Sequence, residues 1–541
     1  MNWNKVPTLA GSMFFCIAGI FASNNEKGIE YFRAELYDAA KIYFKNQIAQ
    51  NQGIALAENY YYLGESFIAA EQLDSAAYYF QKAIQTDSEY PYSYIGEGKL
   101  ALRNNNAKLA DDLFKKALNL AKKDPAVPVS VAGAYIEINQ YAKVEEFLDR
   151  AKKIKKNFSG IYVAEGDMLM SQEKIGDASG RYDMAIRFNA DDKVAYLKKI
   201  RVYKTINTDA ALELLTQLLA IDPEYIPAYA ELGDTHYRRK NYTKAIEAYQ
   251  KFIGIPGVPV LQLFNYASSL YFIKEYEKSL AEIHKVLAND PENLVMCRLQ
   301  FYNNYELKKN ALGLEQAEKF IQTRSHNDLI AQDYAYYGRL LEQANDIQGA
   351  IEAFKKALTI DEHTTDVLKD LAAAYEKEED WPNAIIFHQK FINNDRNATQ
   401  MDVLNFGRLL YRAGNQEATT LEDSVIFRDY LVRADSVFTQ IVEWLPDNYI
   451  GYFWRSRANV GLDPETTLGL AKPLYEQAMA ILEASPAGAA RNRDLIECYR
   501  YLGYYYYLQN NIPTAREFFQ KILELDPENE AAKQFLDAIK R

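Results

Sequence analysis

Five histidines, three cysteines and 74 Asp and Glu residues are the groups in this 541-residue sequence that could carry catalytic or metal chemistry. Their spacing supports neither. A metal site or a nucleophile–base pair needs several such groups brought together in a recognisable pattern. His236, His284, His326, His363 and His388 are dispersed. His236 falls on an apolar helical face and His388 at a place where neighbouring stretches carry Phe, so both read as core; the other three lie near helix ends or turns. There is no phosphate-cradling glycine loop, nucleophile elbow, HExxH or cysteine cluster. Cys16 lies close to the start, and Cys297 and Cys498 stand far apart on apolar helical faces, where a buried thiol is the expectation. The sequence therefore assigns no catalytic residues, no metal ligands and no cofactor. Recognition chemistry remains. Tyrosine is abundant, at 42 residues, and Tyr and Arg dominate binding hot spots. The net charge of −12 is spread along the chain, which argues against nucleic acid as a partner, because phosphate binding rests on clustered Lys and Arg.

The elements that must position these side chains are helical hairpins. Residues 226–256 show the pattern most clearly, with Tyr229, Leu232, Gly233 and His236 on one helical face and Tyr242, Ala245, Tyr249, Phe252 and Ile253 on the next. Residues 238–241 make the turn. Gly233 and Ala245 are the small residues that let two helices approach closely. Asp222-Pro223 separates this hairpin from the preceding helix, since proline lacks the donor that a helix interior needs.

Anchored on Ala245, the pattern recurs at Ala40, Ala76, Ala110, Val144, Ala178, Ala211, Ser279, Gly313, Ala350 and Ala384, at intervals of 33 to 37 residues. Four residues after each anchor the side chain is apolar or aromatic, except at His388. Wider intervals then lead to Ala434, Ala471 and Ala515, giving fourteen units. Tyr60-x2-Leu63-Gly64-x2-Phe67 with Ala76 and Phe80, and Tyr499-x2-Leu502-Gly503-x2-Tyr506 with Ala515, Phe519 and Pro527, resemble the tetratricopeptide repeat. That resemblance implies an all-α fold, an alpha-alpha superhelix of about 14 helical hairpins. Residues 528–541, with Ala532, Phe535, Leu536 and Ile539 on one face, would form a C-terminal capping helix. Lys199 at a glycine place and the unit around Gly313 depart from the signature, and poorer packing is expected there.

In this family the first helix of each unit lines a concave surface. The inward places, together with those of the 226–256 hairpin that packing leaves freer, are Tyr61, Tyr196, Tyr203, Asp234, Tyr237, Arg238, Phe264, Tyr271, Arg339, Arg500, Tyr504 and Tyr507. They are the candidate partner-binding residues. Glu65, Asp167 and Asp234 stand where the family's chaperone-tail clamp has Lys and Asn, which disfavours that mode. The resulting expectation is a non-enzymatic scaffold that binds a protein or peptide on an aromatic-rich concave face. A glycan-handling protein is the alternative, because tyrosine surfaces also stack on sugar rings.

Lys5 followed by the apolar run from Val6 to Phe21 reads as an export signal, with Ala22 before the cut, and is too short for a comfortable membrane span. The expected organisation is a signal peptide over 1–22, a regular array over 23–411, irregular units over 412–527 and the cap over 528–541. Export to the periplasm, or association with the outer membrane, is the expected location. In the irregular part, polar loops are expected between Arg412 and Asp423 and between Leu482 and Asp494.

Overall fold

The computed structural model describes residues 25–50, 56–486 and 488–539; the apolar run of the proposed signal and Cys16 lie outside them. The helices run α1 (25–33), α2 (Tyr37–Ala49) and onward to α29 (Glu530–Ala538), so fourteen consecutive pairs are followed by a single final helix. The reason for pairing is visible in α13 (Ile226–Arg238) and α14 (Tyr242–Phe252). A Cβ added to Gly233 would lie 2.5 Å from the Tyr249 ring. The same close approach joins Gly64 to Phe80, Gly98 to Phe114, Gly166 to Tyr182 and Gly338 to Phe354, always across sixteen residues. Where the glycine is replaced, the residue sixteen further on is smaller: Ala132 goes with Leu148, Ala267 with Ile283, and Lys199 with Leu215. At Phe301 and Ala317 the sizes are reversed. Leu215, Phe301 and Ala317 are all fully buried, so these departures do not open the interior to solvent. The Ala–Leu and Ala–Ile pairs keep the summed volume close to that of glycine with an aromatic, whereas Lys199 carries its ammonium out to Asp183.

Each turn inside a pair has its own rule. Glu35, Glu71, Asn105, Asn139, Glu173, Lys240, Lys274, Asn345 and Glu379 all have left-handed backbone, with φ between 56° and 65°. The following amide reaches back five residues, as in Asn106 N to Ala101 O at 2.8 Å and Asn241 N to His236 O at 2.9 Å. This is the Schellman arrangement, which satisfies carbonyls at the helix end and usually recruits glycine. None of these positions is glycine.

Between pairs an Asx turn redirects the chain. The Asp222 carboxylate accepts from Glu224 N at 3.0 Å, and Asp87, Asp361 and Asp395 repeat that bond. Pro223 lies in this turn, and its carbonyl accepts from the Tyr229 hydroxyl at 2.8 Å. Tyr94 and Tyr162 donate to the carbonyl six residues back in the same way, and Cys297 Sγ donates to Pro291 O at 3.3 Å in the equivalent place. Part of the tyrosine excess is therefore structural. Cys498 is fully buried as expected, whereas Cys297 is only half-buried.

The described residues form two compact units, within 1–303 and 304–541. Inside each, successive first helices touch, as α3 (Leu56–Ala69) does with α5 (Pro91–Arg103), and α23 (Gln400–Gly414) with α25 (Tyr449–Leu462). First helices therefore line the inner face. In the second unit the first irregular loop shortens to 415–420, because Thr420 and Asp423 form a capping box that starts α24 (Leu421–Trp444). The second shortens to 484–488. There α27 (Ala489–Leu508) begins earlier than expected, and the Arg491 guanidinium donates to the Leu482 and Glu483 carbonyls that end α26 (Lys472–Glu483). The final helix covers the stack, with the Phe535 ring on Phe519 at 3.8 Å.

Candidate functional site

The inner face of the first unit is a ladder of ion pairs spaced about one repeat apart. Lys99 on α5 sits between Glu65 at 2.6 Å and Glu137 at 3.3 Å, and Arg103 bridges Glu71 and Glu137. Burial works against the Lys99 ammonium, yet the two carboxylates outweigh it and raise its pKa. On α11 (Lys193–Ile206), Arg201 and Lys204 bracket Glu231 at 2.7 and 2.6 Å, and Lys198 holds Asp167 at 3.0 Å. Carboxylates at these depths would be costly unpaired.

The same ladder draws the start of the chain inward. Arg201 donates to the Ala34 carbonyl at 2.7 Å and pairs with Glu35 at 2.9 Å, while Lys193 pairs with Glu30. Tyr31, Leu36 and Phe44 share one core with Ile200, Leu218, Tyr225 and Phe252. At Gly257 (φ 73°) an added Cβ would lie 2.7 Å from the Ala39 amide. Residues separated by more than 160 positions thus close on one another. Between them remains a cavity of about 590 Å³, lined by Phe32, Tyr37, Val129, Gly133 and Val163 together with charged residues of the ladder.

The structure distributes the sequence-derived candidates unevenly. Tyr61 and Tyr196 are buried, at 6% and 7% exposure, within the core of the first unit. Asp234 is not left free by packing, as the sequence pattern suggests: it is 8% exposed and accepts from Tyr249 Oη at 2.7 Å, from Asn265 and Gln262, and from Lys204. Its carboxylate, after burial itself, is what drives the Tyr249 hydroxyl pKa upward. Tyr203, Tyr237, Phe264 and Tyr271 are half-buried, with Tyr203 beneath the Lys199 ammonium and Tyr271 edge-on to Tyr276. Arg339 is spent on Asp366 and Asp370, both at 2.6 Å. Arg238, Arg500, Tyr504 and Tyr507 are exposed, and Tyr507 meets Phe535 edge-on at 5.2 Å. Eight of these twelve lie in the first unit and four in the second.

A different set converges on α23 and α25. The Arg408 guanidinium lies 4.9 Å from the Trp454 ring centre, and Arg457 stacks on the same ring at 4.6 Å and on Phe453 at 4.5 Å. Arg457 is held by Glu497 through two bonds of 2.6 and 2.7 Å, and Tyr411 meets Trp454 edge-on. Arg408, by contrast, pairs with no carboxylate among the described residues; Nη1 makes a 3.4 Å bond to Asn405, and its buried Nε has no partner. Beside it opens a hollow of about 530 Å³, walled by Met401, Leu404, Ile441, Leu445, Tyr449 and Ile450. The sequence reading missed this group because intervals widen here and Trp454 does not occupy the signature's aromatic place. The usable signal was Arg-x-Leu-Tyr-Arg at 408–412 together with Trp-Arg-x-Arg at 454–457.

Fold and inner face together define a tetratricopeptide-repeat architecture. Profiles of the tetratricopeptide repeat match residues 58–89, 207–251, 334–364 and 496–529. Among curated relatives, the small glutamine-rich tetratricopeptide repeat-containing protein 2 of Mycosarcoma maydis is 31% identical over 22% of this chain and 32% of its own length. The BBSome complex member BBS4 homolog of Drosophila melanogaster is 20% identical over 54% and 59%. The chain thus spans about a third to three fifths of these two relatives. Among solved structures, the C-terminal part of a TPR repeat-containing protein from Cytophaga hutchinsonii is 28% identical, covering 50% of this chain and 98% of that one, with a TM-score of 0.41. Among the described residues no group of three or more His, Cys, Asp or Glu is placed to hold a metal ion, and no helix is long and apolar enough to cross a membrane.

Proposed function

We propose that the chain is a non-enzymatic interaction scaffold that binds a protein or peptide on the aromatic-rich inner face of its second unit, within the bacterial cell envelope. The observation that carries the reading is the Arg408–Trp454–Arg457 stack beside an apolar hollow, since Trp, Tyr and Arg anchors in desolvated pockets supply most of the energy of protein recognition. A relative described as a member of a protein complex supports the scaffold role. Lys5 and the apolar run behind it support export. Affinity capture from the periplasmic fraction with the wild-type chain and with Trp454→Ala tests the binding face. A partner recovered by the first and lost by the second is expected, and equal recovery by both overturns the assignment. The N-terminal residue of the purified protein tests export: a first residue near Ser23 is expected, and an intact Met1 overturns cleavage.

A further inference from the structure

Arginines buried or half-buried along the first helices, which line the inner face, mostly hold carboxylates, whereas the exposed Arg238 and Arg500 hold none among the described residues. Arg103, Arg201, Arg339 and Arg457 each hold a carboxylate, as does Arg412 through Glu376. Arg408 lies on the same face, within the second unit, and holds none. A guanidinium offers five donors, and here one makes a long bond to Asn405 while the buried Nε makes none. Burial, then the neighbouring Arg457 and Arg412 charges, push its pKa below the usual arginine range. It still carries its charge, because arginine does not deprotonate in proteins. The Trp454 ring, its centre 4.9 Å from the guanidinium carbon, covers one side of the group.

The surroundings define what would satisfy it. The walls of the hollow are mainly apolar, with Thr399, Gln400 and Asn448 adding polar groups, and Met401 is 57% exposed. A chain of net charge −12 does not attract a long polyanion, and one unpaired guanidinium does not make a phosphate track. A single planar carboxylate is what a guanidinium edge binds best. We propose that the hollow between α23 and α25 takes a peptide segment in which an acidic side chain stands beside a large apolar one, with Arg408 holding the carboxylate and the Met401–Leu404–Tyr449 wall covering the apolar neighbour. This rests on the scaffold reading and specifies the chemistry of the same site.

The test uses the full chain and a panel of end-blocked octapeptides in which Glu, or Gln in its place, stands beside Leu, Ile or Phe, with binding read by fluorescence anisotropy. The wild type should bind Glu members about ten-fold tighter than their Gln counterparts, a difference typical of a charge-assisted bond. Arg408→Gln should erase that preference, and Arg150→Gln, at an exposed position of the first unit that no reading assigns to binding, should keep it. Added salt should weaken Glu members selectively in the wild type, a readout that does not depend on any variant folding. Equal binding of Glu and Gln members, or a preference that survives Arg408→Gln, overturns the proposal while leaving the scaffold reading intact. A requirement for a free terminal carboxylate overturns the side-chain assignment. Binding of no member overturns the proposal as well, and capture with Trp454→Ala then decides the scaffold reading separately.

Discussion

Along the first unit's inner face, cations and carboxylates about one repeat apart meet as pairs, whereas at α23–α25 an arginine stacked on tryptophan is left without a carboxylate beside an open apolar hollow. Both regions are built from the same helical hairpin. The difference lies in how the polar groups are spent: in the first region they join repeats to each other and to residues 25–49, and in the second Arg457 and Arg412 do the same through Glu497 and Glu376 while Arg408 holds no carboxylate among the described residues. A repeat surface thus serves cohesion or recognition according to whether its charges find partners within the chain.

The sharpest way to break this contrast is Arg201→Ala. It removes the group that holds Ala34, Glu35 and Glu231 together and leaves a buried carboxylate short of a partner, a loss of about 3 kcal/mol by the usual cost of breaking such a pair. Hydrogen exchange should show residues 25–49 losing protection while residues 331–394 keep theirs; unchanged exchange at 25–49 would show that apolar packing alone closes the unit.

Gly338→Ala tests whether packing, unlike charge, follows one rule in both units. Its Cβ would sit 2.5 Å from Phe354, and overpacking of this kind costs about 2 kcal/mol. Adding Phe354→Leu, which recreates the Ala132–Leu148 combination, should recover most of the loss in a denaturant titration. Gly233→Ala should behave alike in the first unit.

A smaller effect is expected at the turns. Lys240 adopts φ 57°, and Lys240→Gly should stabilise by about 0.5–1 kcal/mol, read as a rise in the denaturation midpoint. The smallest effect concerns His388, which is 9% exposed and stacked on Phe406 at 5.3 Å, near Asp402 and Lys369. Burial, its largest influence, lowers its pKa below 6.5. Above that pH both folded and unfolded forms are neutral; as pH falls through 6.5 the unfolded chain takes up a proton that the folded one resists, so stability declines. His388→Phe should flatten the thermal stability profile between neutral and mildly acidic pH, and an unchanged slope would locate the sensitivity elsewhere.

Much of the fold was legible because its determinants are local. The Gly233–Tyr249 contact, the anchors at Ala76 and Ala245 and the cap at Phe535 follow from helical spacing and side-chain volume. Even some departures were readable in size, since Ala132 is answered by Leu148. The candidate site was less legible. Tyr61, Tyr196 and Asp234 occupy inward register positions, yet all three are buried within the first unit. Arg339 and Arg408 look equivalent in sequence, and only the presence of Asp366 and Asp370 about 30 residues away separates a neutralised arginine from a free one.

By itself, then, the sequence determined the repeated helical hairpin, its number of copies, its small-against-large packing and the lack of any catalytic or metal-binding pattern, because each depends on residues within one or two turns of helix or at a fixed period. Tertiary structure decided which charges are satisfied, that residues 25–49 close on residues 193–257, and that Arg408, Trp454 and Arg457 come together, because those outcomes depend on distances between repeats that no local spacing encodes.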